Sequence, residues 1–591
     1  MKDEPYKKIN EQYSIAADGS LYYIEPIIKD GEVTGQTETS IANHAPILKE
    51  LRLTDNGIEC LEELVFCVRR NNQNSEDVVL TGKDIHSQTP HLKFGAACRL
   101  YNDKKYISKY REAMQIQCEE AVCSILYQHT GYAVIEGQRV FLNGKNSVTA
   151  EGLTDKYNVI FDSQLSNYCF TSGRHESRFD VLLKLLPLIA PQKLICTGLG
   201  LSFLTPLNAL LRDIGIEPRF ILYFTGKTGT QKTTMAKLFL NFFGSFDNGT
   251  SSPASFVDTS NSVEKKFALT DSTLVLLDDR IPSTTPKIRA QMEAMEQVVA
   301  RQIGDRTGRA RMNADGFLRP SYRPKCNLII TAEESFSNVG ESAIARSISV
   351  EIKPGDVKLK ELTAVQKRAS ELNECMGDYI QYIIQNWEVL QTKLKPLFEE
   401  LRDKAQNGGH GRLAECVAHL QIGISIMCDW LISIDEINEK RAEELKASAW
   451  SVFMELSEEQ NRRIAEEKPV KLFLDAIQEM RDRKAIKFIK ISEDNTTAYN
   501  GFSDKIAGFY DGDFYYCYPD GIYTEVRKFY AAQDKTFPLS KNALFKQLAT
   551  DNLIEIDTGG QNTKAKRING KRSRLLWLRA IALDTDEDNE Q

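Results

Sequence analysis

The stretch Phe220-Ile-Leu-Tyr-Phe-Thr-Gly-Lys-Thr-Gly-Thr-Gln-Lys-Thr-Thr234 constrains this chain more than any other. An apolar run stops at Gly226, and helical patterning resumes at Met235-Ala-Lys-Leu-Phe-Leu240. Strand, tight loop and helix in that order are what the phosphate-binding spacing G-x-x-x-x-G-K-[ST] requires. The loop N–H groups and the positive end of the helix then cradle a polyphosphate. The candidate loop comprises Gly226, Lys227, Thr228, Gly229, Thr230, Gln231, Lys232, Thr233 and Thr234. In this pattern Lys232 reaches the β- and γ-phosphates, and the Thr233 hydroxyl ligates Mg²⁺. Gln231 departs from it by standing where the second glycine is expected.

A phosphate loop needs a metal-holding carboxylate, and Ser272-Thr-Leu-Val-Leu-Leu-Asp-Asp279 supplies one about forty residues on. An apolar strand ending in two carboxylates places Asp278 to hold Mg²⁺ and Asp279 near an attacking water as general base. A third apolar strand, Cys326-Asn-Leu-Ile-Ile-Thr-Ala-Glu333, ends in polar residues. In additional-strand ATPases such a strand lies between the other two, and its tip senses the γ-phosphate. Thr331 and Glu333 both qualify for that role, and Thr331 is taken here. Arg346, just before a fourth strand at Ile348–Ile352, suits a finger that reaches a neighbouring subunit's nucleotide. Arg412, opening a helix after Asn407-Gly-Gly-His-Gly411, is the candidate for a second phosphate-sensing arginine.

Two segments are locally basic in a chain whose net charge is −7, so nucleic-acid contacts must be local rather than global. The first, between Gly304 and Lys325, carries Arg306, Arg309, Arg311 and Arg319, with a β-turn signal at Asn313-Ala-Asp-Gly316. It predicts a hairpin whose arginines track phosphates. The second carries Lys564, Lys566, Arg567, Lys571, Arg572 and Arg574 between two strand-like runs. Following the helix capped by Ser540, it predicts a winged helix-turn-helix with a duplex-contacting wing.

The remaining organisation follows from pattern. Residues 1–155 read as an α+β accessory domain, with a hairpin at Tyr132–Leu142 turning on Glu136-Gly137 and a helix over Tyr106–His129. Residues 165–355 read as an α/β core with a parallel sheet, 356–490 as a helical lid or linker region, and 501–583 as the winged helix, with a polar linker at 492–500. Twelve scattered cysteines without metal spacing point to a reduced, cytoplasmic protein. Ile195–Leu211 is apolar but short for a bilayer, so it reads as a buried helix, and no membrane partner is expected.

The order of these parts resembles the AAA+ ATPases of the helicase branch, which includes minichromosome maintenance and superfamily-three helicases. Gly226-Lys-Thr-Gly-Thr-Gln-Lys-Thr233 is similar to the minichromosome loop G-x-x-G-T-A-K-S, in which the second glycine is also replaced. Met292-Glu-Ala-Met-Glu-Gln297 resembles that family too, whereas Asp278-Asp279 looks more like the superfamily-three form. Over its whole length the chain resembles the self-loading helicases of staphylococcal cassette chromosomes and related phage or mobile-element ATPases. The resemblance implies ATP as the nucleotide, a homo-hexameric ring, ATP-driven movement along single-stranded DNA in its channel, and a role in replicating a mobile element. Two other classes compete: an AAA+ remodeller or transposition-type ATPase that binds DNA without unwinding it, and a small-molecule P-loop kinase. The arginine-rich hairpin disfavours a protein-unfolding pore, although Phe317 keeps a remodeller in view, and the two basic segments disfavour the kinase.

Overall fold

The computed structural model describes residues 6–583, apart from 120, 162–163, 248, 281–284, 313–315, 317, 334–343, 407–408, 467, 493–495, 498–505 and 534. Its centre is a five-stranded parallel sheet made of β1 (Ile221–Thr225), β2 (Ala254–Ser255), β3 (Leu274–Arg280), β4 (Asn327–Ala332) and β5 (Ser347–Glu351). The strand order is β2-β3-β4-β1-β5, so β4 lies between the phosphate-loop strand and the Asp278-Asp279 strand, as the likeness to additional-strand ATPases implies. Every residue of β1 and β4 is buried. A parallel sheet covered on both faces demands such uninterrupted apolar runs, which is why these strands are readable at all.

Helix α1 (Lys232–Leu240) leaves the phosphate loop, α2 (Ser260–Leu269) precedes β3, and α3 (Pro286–Asp305) follows it. Two short antiparallel strands, Arg311–Met312 and Leu318–Arg319, form the basic hairpin, with Arg311 opposite Arg319. Its turn residues 313–315 and Phe317 lie outside the described residues.

From Leu359 to Asp482 the chain is helical, as expected, and includes α4 (Gly411–Ser433), α5 (Glu439–Glu466) and α6 (Pro469–Asp482). Gln192–Asp213 and α4 are long and apolar enough to cross a membrane, but 89% and 83% of their most apolar windows are buried inside the fold. They are core helices.

Three boundaries differ from the sequence reading. Phe141 and Val148 join the large central cluster that runs to Ile464, so the first unit is not closed off at 155 and the helical region shares one core with the sheet. Helix α6 packs with the C-terminal core through Val470, Phe473 and Ile477 rather than with the helices before it. The sheet spans the boundary expected at 492–500: β6 (Lys487–Lys490) before it pairs in parallel with β7 (Ile506–Tyr510) after it, while 493–495 and 498–500 of the expected linker lie outside the described residues.

The C-terminal unit adds β8 (Phe514–Cys517), α7 (Pro519–Ala531), α8 (Lys541–Thr550) and the hairpin β9 (Lys564–Ile568)–β10 (Lys571–Arg579). Ser540 caps α8 through its side chain, as expected. In the N-terminal part, the 131–142 hairpin turns on Glu136 and Gly137, both at positive φ. The helix expected over Tyr106–His129 spans Asp103–Ile116 instead and is followed by a strand at Cys123–Tyr127.

Candidate nucleotide site and basic surfaces

The loop after β1 bends where only glycine fits. Gly226 has φ 147°, and a Cβ there would meet the Ile352 carbonyl oxygen at 2.2 Å. Gln231, immediately before α1, sits in the left-handed region at φ 67° and ψ 24°. That backbone conformation explains the glycine usual at this position; a non-glycine residue there costs about 1–2 kcal/mol. The Gln231 side chain does not leave the site: its Oε1 accepts a hydrogen bond from Thr234 Oγ1 at 3.0 Å, within the first turn of α1. Lys232 Nζ is folded across the loop, donating to the Gly226 and Lys227 carbonyls at 2.7 and 3.0 Å. Burial pushes its pKa down, opposed by Glu333, Asp279 and Asp278.

Asp278 is the hub. Thr233 Oγ1 donates to its Oδ1 at 2.8 Å, Thr331 Oγ1 donates to the same oxygen, and Ser252 Oγ donates to Oδ2 at 2.9 Å. Between Leu277 and Arg280 the pairing of β3 with β4 slips by a bulge, with Asp279 at φ 72°. Bulges re-aim side chains next to functional sites, and here the Asp279 backbone N–H donates to Thr331 Oγ1 at 3.1 Å. Partial burial of the Asp279 carboxyl raises its pKa; the charges of Asp278 and Glu333 add to the rise and Lys232 opposes it. A cavity of about 300 Å³ lies beside this group, lined by Thr228, Gly229 and Gln231–Thr234 of the loop and by Asp279, Arg280, Thr331, Ala332 and Glu333. A hydroxyl and a carboxylate converging within hydrogen-bond distance beside a phosphate loop are the hard oxygen donors that Mg²⁺ takes.

The structure therefore brings together Lys232, Thr233, Asp278, Asp279 and Thr331. Thr331 is 1% exposed and holds Asp278 and the bulge, whereas Glu333 is half-buried in the cavity lining and accepts a hydrogen bond from Thr228. Both tip candidates line the cavity, Thr331 bonded to Asp278 and Glu333 to Thr228. Sequence reasoning missed three participants. Ser252 has no motif to mark it. Arg280 lines the cavity and is fixed by Glu296 of α3 through an ion pair of 2.7 Å, 6% and 0% exposed. Burial raises the Glu296 pKa against the pull of Arg280. The Met292–Gln297 match could have pointed to Glu296.

Arg346 and Arg412, the two arginines expected to sense phosphate, do not line this cavity. The Arg346 carbonyl accepts the Ile221 N–H at the start of β1, a strand length of roughly 16 Å from the phosphate loop. Its guanidinium meets Asp305 at 2.8 Å. Arg412 opens α4, whose cap residue His410 accepts the Arg412 N–H and donates its own N–H to Asn461. The neighbouring Gln460 donates to Ile344 O and Ser347 Oγ, which places Arg412 towards the Arg346 end of the sheet.

The basic hairpin needs one correction. Arg306 is 2% exposed and donates to Pro218 O, Cys326 O and Asn327 Oδ1 at 2.7, 2.6 and 3.0 Å. It is a structural arginine that ties α3 to β4, and cannot reach DNA. Arg309 is exposed. Arg311 is half-buried and bonds Glu264 and Asn261 of α2. In the C-terminal hairpin, Lys564, Lys566 and Arg574 pair with Glu555, Asp511 and Asp557, while Arg567, Lys571 and Arg572 are exposed at the tip. Among the described residues no His/Cys/Asp/Glu group forms a further metal cluster.

No family model matches the chain, and no curated protein matches it. A solved structure of the SCCmec type IV Cch active helicase does match, with a TM-score of 0.60 over 97% of this chain and 98% of that one, at 14% sequence identity. At that identity the likeness is one of fold: from end to end, the chain shares the fold of that helicase.

Proposed function

We propose that the chain is an ATP-dependent DNA helicase, a ring-shaped motor that serves replication of a mobile genetic element. The observation that carries this is the Thr233–Asp278–Thr331 cluster at the strand tips beside the Gly226–Thr234 loop, in a sheet of order β2-β3-β4-β1-β5. The full-length likeness to a helicase fold supports the choice of motor over kinase. Thr233 and Asp278 would hold Mg²⁺, which when bound neutralises charge on the β- and γ-phosphates. Loop N–H groups and α1 orient the phosphates. Lys232 exchanges its two carbonyl partners for phosphate oxygens. Asp279, held at the rim by the bulge, takes the proton of the attacking water, and Glu333 orients that water. Thr331 and Ser252 keep Asp278 aimed.

Arg346 and Arg412 lie at the far end of the sheet and complete the site of an adjacent subunit in a homo-hexamer. Arg309, Arg311 and Arg319 follow single-stranded DNA in the channel, Arg311 after leaving Glu264. Lys232→Ala is expected to abolish ATP turnover. Mixing it with Arg346→Ala subunits is expected to restore part of the activity at mixed interfaces. Turnover retained by Lys232→Ala refutes the loop assignment, and no recovery at any ratio refutes the action of Arg346 in trans. ATP turnover without unwinding would instead favour the DNA-binding remodeller.

A further inference from the structure

We propose that Glu296, acting through Arg280, is the positioning residue that keeps Asp279 aimed at the nucleotide. The proposal rests on the ATPase reading above, in which Asp279 is the general base, and goes beyond it by naming what holds that base in place. The β3–β4 ladder is regular up to Leu277 opposite Ile330 and resumes with Arg280 opposite Ala332, so Asp278 and Asp279 together face Thr331. Asp279 absorbs the extra residue at φ 72°. A residue with a side chain enters that region at a cost and stays there only where its surroundings enforce it. The carboxyl of Asp279 supplies no enforcement: among the described residues none donates a hydrogen bond to it, and only the backbone N–H is held, by Thr331 Oγ1. The aim of Asp279 therefore depends on its two neighbours in the chain.

Asp278, on one side, is fixed by Thr233, Thr331 and Ser252. Arg280, on the other, is fixed twice. Its carbonyl accepts the Glu333 N–H at 3.2 Å, and its Nε donates to Glu296 Oε2 at 2.7 Å. The Arg280 and Glu296 side chains are 6% and 0% exposed. Glu296 is tied in turn to β1, where the Tyr223 hydroxyl donates to its Oε1 at 3.3 Å. Tyr223 stands three residues before Gly226, at which β1 opens into the phosphate loop. The helix that carries Glu296 is itself held against the sheet. Val299, Ala300 and Ile303 of α3 are buried, and its C-cap Arg306 donates to Pro218 O and Cys326 O at 2.7 and 2.6 Å. Asp279 and the phosphate loop are thus positioned from one strand: the loop directly, and the base through Tyr223, Glu296 and Arg280.

Stability alone does not call for this pair. Taking two charges out of water costs about as much as their attraction returns, and apolar residues of similar volume hold a core as well or better. What apolar packing lacks is direction. A guanidinium–carboxylate hydrogen bond is short and oriented, and here it fixes the residue next to the left-handed position. Glu296 does not line the cavity, so it acts through Arg280 and not on the substrate. A misplacement of about 1 Å between reacting groups costs on the order of 100-fold in rate. An anchor of this kind therefore governs turnover without touching nucleotide or metal.

The test is steady-state ATP turnover of the full-length chain at saturating Mg²⁺, with nucleotide affinity measured separately by a fluorescent ATP analogue. The informative variant is Arg280→Met/Glu296→Leu, which removes both charges together and leaves no buried charge unpaired. Its melting temperature and analogue affinity are expected to stay unchanged while kcat falls on the order of 100-fold. Burial holds the Asp279 pKa up, with the charges of Asp278 and Glu333 adding and Lys232 opposing. Once that carboxyl is freed towards water, the acid limb of the remaining turnover moves to lower pH. Glu296→Gln, which keeps an acceptor for Arg280 Nε, is expected to retain more of kcat than the double variant. An unchanged kcat in the double variant overturns the proposal. So does a loss of analogue affinity in step with kcat, or an acid limb that stays in place, since either makes the pair structural only. Asp279→Asn separates this failure from failure of the reading beneath it. If that variant keeps full turnover, Asp279 is not the base and the reading itself fails. If it abolishes turnover while the double variant does not lower it, the anchor alone fails.

Discussion

Replacing Thr331 by valine separates two roles that one position on a strand tip can play. The residue is buried, so valine keeps the shape and removes only the hydroxyl. That hydroxyl donates to Asp278 Oδ1 and accepts the Asp279 N–H at 3.1 Å. Losing a hydrogen bond to a charged acceptor costs about 1.5–3 kcal/mol, and leaving the Asp279 N–H unpaired adds about 1–3 kcal/mol. Asp278 keeps Thr233 and Ser252, so the carboxylate is loosened rather than released. Removing a group that orients a metal ligand lowers metal affinity by about 10–100-fold. ATP turnover of Thr331→Val, titrated with Mg²⁺, is therefore expected to need about 10–100-fold more Mg²⁺ for half-maximal rate, with kcat largely recovered at saturation. Thr331→Ser, which keeps the hydroxyl, is expected to behave like the unsubstituted chain. An unchanged Mg²⁺ requirement with a fallen kcat would refute the reasoning, because it would place Thr331 at the γ-phosphate itself.

Arg306→Met tests the reassignment of a basic-segment residue to the core. Breaking a buried charge network costs about 3–5 kcal/mol, so the central melting transition should fall by about 5–15 °C; loss of DNA affinity at unchanged melting temperature would restore the DNA role. The raised pKa of Asp279 gives a pH signature. A proton held more tightly in the folded state stabilises fully below the unfolded carboxylate value and is lost as pH rises through the folded one, while catalysis needs the proton gone. The acid limb of turnover should thus lie above the ordinary carboxylate range, and Glu333→Gln, which removes one of the charges raising Asp279, should move it to lower pH. A limb that stays in place contradicts Asp279 as the base.

The readable parts of this protein are those whose physics is local. Ile221–Thr225 and Asn327–Ala332 show up as unbroken apolar runs because a strand covered on both faces has no polar side to show. Strand β2 is two residues long, too short for any pattern to mark. The departure at Gln231 was visible, but its left-handed backbone and its bond to Thr234 were not, since they depend on how α1 starts. Ser252 and Asp278 are 26 positions apart and meet only because β2 and β3 are neighbours. Arg306 shows how charge misleads: a cluster in sequence says nothing of exposure, and this member points inward to three acceptors. Helix α6 continues the periodicity of the helices before it, and periodicity cannot tell which core it joins.

The central claim is that the cavity between Lys232 and Asp279 drives a motor on DNA. Strand displacement on forked DNA tests it most directly, with the unsubstituted chain, Lys232→Ala and Arg309→Ala/Arg311→Ala run side by side. The account predicts ATP-dependent release of the displaced strand by the first and none by Lys232→Ala. It also predicts that the hairpin variant keeps basal turnover while losing displacement and DNA stimulation. ATP turnover by the unsubstituted chain with no strand released, at any fork or salt concentration, would contradict it.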